Sequence, residues 1–238
     1  MSNLYSYLRE QTAAFGLQLD DIAVNRLQKY SQLLREWNEK MNLTAITDPD
    51  EIVIKHFLDC LMIFKNSEIP RGASVIDVGT GAGFPGMVMK IARPDIKLTL
   101  LDSLNKRLIF LSEVLKELDL SAEIIHARAE EGGKKPQLRE KFDISTARAV
   151  AKLNVLAEYC MPYVKVGGCF IAMKGPSAPE ETEAAERAIK KLGGGEIVNF
   201  EESLPMYGGD RVFCEIKKIS QTPPQFPRIS AKIQKKPL

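Results

Sequence analysis

The chain is poor in the residues that bind metals. Only two histidines, His56 and His126, and four cysteines, Cys60, Cys160, Cys169 and Cys214, occur in 238 residues, and no two cysteines form a CxxC pair. This spacing argues against zinc or any multi-histidine metal site and fits reduced, buried thiols in a cytoplasmic protein. Long apolar runs are absent too. A membrane span needs roughly 20 apolar residues, and the longest candidate, residues 57–64, is broken by Asp59. The amino terminus has no basic stretch leading into an apolar core, so no signal peptide is expected. With 45% hydrophobic and 27% charged residues the composition is that of an ordinary soluble domain. A monomer is expected.

The net charge of +2 says little about partners, but its distribution is uneven. From Lys217 to Leu238 there are six basic residues, four prolines and no acid. Such a tail reads either as a phosphate-binding arm or as a solvated terminus.

The first 70 residues read as helices. An acidic cap at Asp20-Asp21 precedes Ala23, Leu27, Tyr30, Leu34 and Trp37 at helical spacing. Pro49 then opens a second pattern through Ile52, Val53, His56, Phe57 and Leu61. From residue 74 onward, short β-rich runs alternate with helix patterns, as in a mostly parallel α/β sheet. Strands are expected over residues 74–78, 97–101, 122–127, 142–146, 169–173, 196–200 and 212–219. The last two are separated by too few residues for a helix, which predicts an antiparallel hairpin at one edge. The expected division is a helical extension over 1–70 packed on the core, a ligand-binding α/β domain over 71–220 and a basic tail over 221–238.

The stretch VIDVGTGAGFPG, residues 75–86, places four glycines after the first strand. Gly81, Gly83 and Gly86 satisfy the G-x-G-x-x-G spacing of dinucleotide sites, a weak signal alone. Asp77, two residues ahead of Gly79, would repel a pyrophosphate and attract a cation. S-adenosylmethionine (SAM) carries an ammonium and a sulfonium and no phosphate, so the acid suits it. Asp102 at the end of the second strand can accept from both ribose hydroxyls, a feature shared with nicotinamide cofactors. Glu130, with the backbone of Ala129, can meet an adenine edge. Acids at the carboxyl ends of three successive strands lie where open α/β sheets bind ligands. No Asn/Asp-Pro-Pro-aromatic turn follows the fourth strand, and Cys160 reads as core. The substrate is therefore expected to be nucleophilic already.

DVGTGAGFPG, LLDSLNKR, ARAE and ARAV, together with the upstream WNEKMNLTAI, resemble the bacterial 16S rRNA guanine-N7 methyltransferase family, also called glucose-inhibited division protein B. The resemblance runs from about Trp37 to the carboxyl terminus. It implies a Rossmann-like class I SAM-dependent methyltransferase with a seven-stranded sheet. It also implies SAM contacts at Gly79, Phe84, Ala129, Glu130 and Arg148, and a target guanine in a decoding-region loop of the small ribosomal subunit. A glycine-containing turn expected in the tail is missing here.

Guanine N7 has a free lone pair, so positioning is the expected source of catalysis. Arg148 is the expected essential residue. It would clamp the methionine carboxylate or donate to guanine O6; the structural alternative is an ion pair to Asp143 or Glu130. Asn42, Lys174 and Arg228 are candidate RNA contacts, with Asn42 also suited to a turn. His56 and Asp59, one helical turn apart, read as a helix-surface pair, with a polar patch facing the site as the alternative. A nicotinamide-dependent oxidoreductase and a non-catalytic ribosome-binding protein are the alternatives.

Overall fold

The computed structural model describes residues 3–148, 151–206 and 208–238; the last two residues of the ARAV motif lie outside them. Its centre is one seven-stranded sheet: β1 (Ser74–Val78), β2 (Lys97–Asp102), β3 (Glu123–His126), β4 (Phe142–Arg148), β5 (Val164–Lys174), β6 (Gly194–Leu204) and β7 (Gly209–Lys218). The order across the sheet is β3-β2-β1-β4-β5-β7-β6. β1 to β5 pair in parallel, while β7 inserts antiparallel between β5 and β6. Every expected strand is present, and β5 and β6 are longer than expected. The order reverses between β1 and β4, which opens a crevice at their carboxyl ends.

β1 is buried on both sides because helices cover both faces. Val75 points into one core and Ile76 into the other. The amino-terminal helices complete the first core. Helix Asp21–Met41 starts at Asp20, whose carboxylate accepts from the Ala23 amide at 2.7 Å. Its stripe of Ala23, Leu27, Tyr30 and Leu34 is buried. Trp37 packs at its edge against Phe110, ring centroids 5.7 Å apart. Burial of each large apolar side chain contributes about 1.5–3 kcal/mol, so the face, more than helix propensity, holds this helix.

Residues 49–66 are not one regular helix. Pro49–Ile52 is α-helical, and Val53–Leu58 widens into a π-helical turn before α-helix resumes at Asp59. Such turns re-aim side chains and recur at functional sites. This one carries His56.

The second core lies under helices Leu153–Cys160 and Ala178–Lys191 and includes Phe226 and Ile233 from the tail. The tail is thus part of the fold. Arg139 donates to the carbonyls of Gly133, Thr222 and Phe226 at 3.1, 2.6 and 2.8 Å. Lys218 is buried, with Nζ 2.8 Å from the Met161 carbonyl. Where a glycine turn was expected, the chain forms a short helix, Ser230–Lys235.

Candidate active site

At the carboxyl end of β1 the chain turns sharply, with φ of 70° at Gly79 and 60° at Gly81, values that side chains rarely tolerate. A Cβ on Gly81 would meet only the Gly79 carbonyl oxygen, at 3.9 Å, so the backbone itself forms the floor of the crevice. Gly83 differs. A Cβ there would come within 2.7 Å of Met87 and 2.8 Å of Leu111, so this glycine serves packing on the protein side.

Asp77 holds the turn from beneath. Its Oδ2 accepts from Thr80 Oγ1 at 2.7 Å and from the Gly86 amide at 2.9 Å. The carboxylate is fully buried, and among the described residues Oδ1 has no partner. Burial lifts this carboxyl to about 6, against the pull of Thr80 and Gly86. The expectation that Asp77 faces a ligand ammonium is therefore corrected. Its side chain follows Val75 on the alternation of β1 and enters the core behind the glycines. Asp102 acts similarly: Oδ2 accepts from the Gly81 amide at 2.9 Å and Oδ1 from Leu104 at 2.8 Å, with Arg107 3.3 Å away.

Two cavities meet at Gly79. One, of about 380 Å³, is lined by Thr44, His56, Gly79, Gly81, Phe84 and Arg148 among others. The second, about 180 Å³, is lined by Gly79, Ser103, Ala129, Glu130, Tyr159, Ser230 and Gln234 among others. Of the expected cofactor contacts, Gly79, Gly81, Phe84, Ala129, Glu130 and Arg148 line this cleft. Asp77, Gly83 and Asp102 stand behind it.

A third cavity of about 350 Å³ lies on the other side of His56 and Arg148, with Asp59, Lys174 and Arg211 in its wall. Arg148 is thus shared between the cleft and this second chamber. Its guanidinium donates to Asp59 Oδ2 at 3.0 Å and to His56 Nδ1 at 3.1 Å, and it sits 4.8 Å from the Phe84 ring centre. Arg211 Nε takes the other Asp59 oxygen at 3.1 Å. Burial pushes the Asp59 carboxyl up, and the two arginines pull it back. Burial first, then Arg148, lowers His56 to about 3, so the ring is neutral. Nδ1 also lies 3.1 Å from the Lys55 carbonyl. Nε2 lies 2.9 Å from Thr44 Oγ1.

The structure corrects several expectations here. His56 and Asp59 are buried around Arg148, not paired on a helix surface. The acid that pairs with Arg148 is Asp59; Asp143 bonds Ser74 and Lys165. Position spacing alone did not reveal this, because the partners are 89 residues apart in the chain. Lys174 is committed to Glu181 at 2.8 Å and to the Ala151 carbonyl at 2.7 Å. Arg228 is bound to the buried Glu158 at 2.6 Å. Both cations are held by acids of this chain, and Lys174 also stands in the wall of the third cavity. Asn42 caps helix Asp21–Met41 in the left-handed region at φ 50° and is exposed. The adjacent loop hangs on Asn38, whose side-chain oxygen accepts from Leu43 and Thr44 at 2.6 and 2.9 Å.

All four cysteines are buried and free. Among the described residues no three His, Cys, Asp or Glu side chains gather as a metal site requires, and no helix is long and apolar enough to cross a membrane.

The strand order, the glycine turn after β1 and the cleft at the switch point together define a Rossmann-like methyltransferase fold. A SAM-dependent methyltransferase from Aquifex aeolicus has the same fold, with a TM-score of 0.53 and 19% identity over 75% of this chain and 97% of that one. The particular family follows from the sequence: the GidB model, rRNA small subunit methyltransferase G, matches residues 23–203, and the chain belongs to that family of methyltransferases. The ribosomal RNA small subunit methyltransferase G of Acetivibrio thermocellus is 51% identical over 99% of this chain and 97% of its own length. That of Alkaliphilus oremlandii is 48% identical over 99% of both. The oxidoreductase and non-catalytic readings find no support in these relationships.

Proposed function

We propose that this protein transfers a methyl group from SAM to N7 of a guanine in 16S rRNA. The carrying observation is the cleft of two cavities joined at Gly79, on the carboxyl edge of the sheet in a chain of this family. The residues fit such a cofactor. The room over Gly81 admits a ligand against bare backbone, Ala129 and Glu130 offer an edge for a base, and Arg148 offers a fork for a carboxylate. SAM, when bound, supplies an electrophilic methyl group.

The remaining work falls to this chain's own residues. N7 carries its lone pair unaided, so no residue has to remove a proton. His56, neutral and held at about 3, agrees with this, since it is a poor base at neutral pH. Its role is to fix Arg148. The third cavity, beyond Arg148, is the place we assign to the guanine. Arg148, held by Asp59 and His56, lines both the cleft and this cavity, and a donor fixed in this way orients at little entropic cost.

Labelled SAM and small ribosomal subunits from cells lacking the protein test the reading. Methyl label should enter 16S rRNA at one guanine, and the N7 adduct should be mapped by chain cleavage at that nucleotide. Label at an exocyclic nitrogen or at several sites would overturn it.

A further inference from the structure

We infer that the C-terminal helix Ser230–Lys235 closes the nucleoside end of the cleft and that Gln234 reads the edge of an adenine there. The inference rests on the reading that the cleft holds SAM. It moves the basic tail from the RNA side of the enzyme to the cofactor side.

Two stretches of wall matter in the cavity of about 180 Å³. One is Ala129 and Glu130, after β3, and the other is Ser230 and Gln234 from the tail. The second wall is firmly anchored. Ile233 is fully buried, and Ser230 Oγ meets the Tyr159 hydroxyl at 2.9 Å. Arg228 grips Glu158 through Nε at 2.8 Å and Nη2 at 2.6 Å, and its Nη1 donates to the Lys236 carbonyl at 3.0 Å. One guanidinium therefore ties the chain before the helix to the chain after it and fastens both to the core. Charge-assisted bidentate bonds of this kind hold geometry tightly. A solvated terminus would not need a buried carboxylate to hold it.

The chemistry of the wall suits a purine. A carboxamide presents a donor beside an acceptor, as the adenine edge does, and such pairs read adenine against other bases. The tail lysines point elsewhere: Lys232 and Lys235 are exposed and do not line the cavity.

The test uses the full chain and two probes, S-adenosylhomocysteine and its 6-deamino analogue, in which purine replaces adenine. Calorimetric titration of the wild-type chain should favour the adenosyl form by about tenfold, the scale of one well-made hydrogen bond. Gln234 is exposed, so Gln234→Ala should fold normally, and its preference should shrink to within about twofold. Hydrogen exchange at residues 229–236 should slow when S-adenosylhomocysteine saturates the wild type. A preference that survives Gln234→Ala, or exchange unchanged by the ligand, overturns this inference and leaves the cofactor reading standing. Failure of the wild-type chain to bind either nucleoside overturns both.

Discussion

Arg148 Nη1 and Asp59 Oδ2 lie 3.0 Å apart, and Asp59 meets a second guanidinium, Arg211, on its other oxygen. One buried carboxylate thereby orients two arginines that arrive from β4 and β7. Removing one member of a buried ion pair typically costs about 3–5 kcal/mol, because its partner is left uncompensated. Asp59→Ala is expected to lose stability on that scale in urea denaturation. Methyl transfer should fall at least tenfold even at temperatures where the variant is folded. A variant as stable as wild type would show that the two arginines find other partners.

Asp77 carries a pH signature. Its carboxyl stands at about 6 in the folded chain against 3.8 as the ordinary value, chiefly through burial. The folded state therefore binds the proton more tightly than the unfolded state. Stability from this group is fully present below about 4 and is lost as pH rises through 6, by about 3 kcal/mol in all. Asp77→Asn keeps an oxygen for Thr80 and Gly86 but cannot titrate. Denaturation curves from pH 4 to pH 7 should show Asp77→Asn gaining on the wild type as pH rises. Parallel profiles would mean that Asp77 ionises normally.

Gly83 tests the packing role of the turn. Alanine there must adopt φ of 101° and place a methyl group against Met87 and Leu111. Left-handed backbone costs roughly 1–2 kcal/mol and overpacking roughly 1–3 kcal/mol. Gly83→Ala should lower Tm by about 5 °C or more for a chain of this size. Gly81→Ala has room for its methyl but must adopt a left-handed φ of 60°, so it should lose some stability, less than Gly83→Ala, and also weaken ligand binding.

The sheet was legible because its information is local. Each strand is a short β-rich run bounded by turn residues, and the missing crossover before β7 dictated its antiparallel placement. The glycine turn, Ala129, Glu130 and Arg148 were legible for the same reason, since strand ends in such sheets face the crevice. Orientation was harder. Asp77 and Asp102 sit at the right edge, yet both turn inward to hold backbone amides. The partners of Arg148 were hidden because a π-helical turn re-aims His56, and because their contact joins segments about 90 residues apart. Gln234 was invisible for a related reason: long-range contacts, the clamp between Arg228 and Glu158 and the burial of Ile233 among them, bring the tail to the cleft.

That clamp decides how the tail should behave toward RNA. A lysine or arginine on a phosphate contributes about 0.7–0.9 to the slope of log affinity against log salt. Arg228 is engaged with Glu158, whose carboxylate is completely buried, so it should contribute nothing. Arg228→Ala alone would confuse the issue by leaving Glu158 unpaired. The paired change Arg228→Met with Glu158→Met removes both charges and keeps the volume, a replacement that buried ion pairs often tolerate. Binding of this double variant to small subunits, measured across a salt series, should give the wild-type slope. A slope lower by about one would mean that Arg228 leaves Glu158 for a phosphate when RNA arrives, and the tail would then be an arm after all.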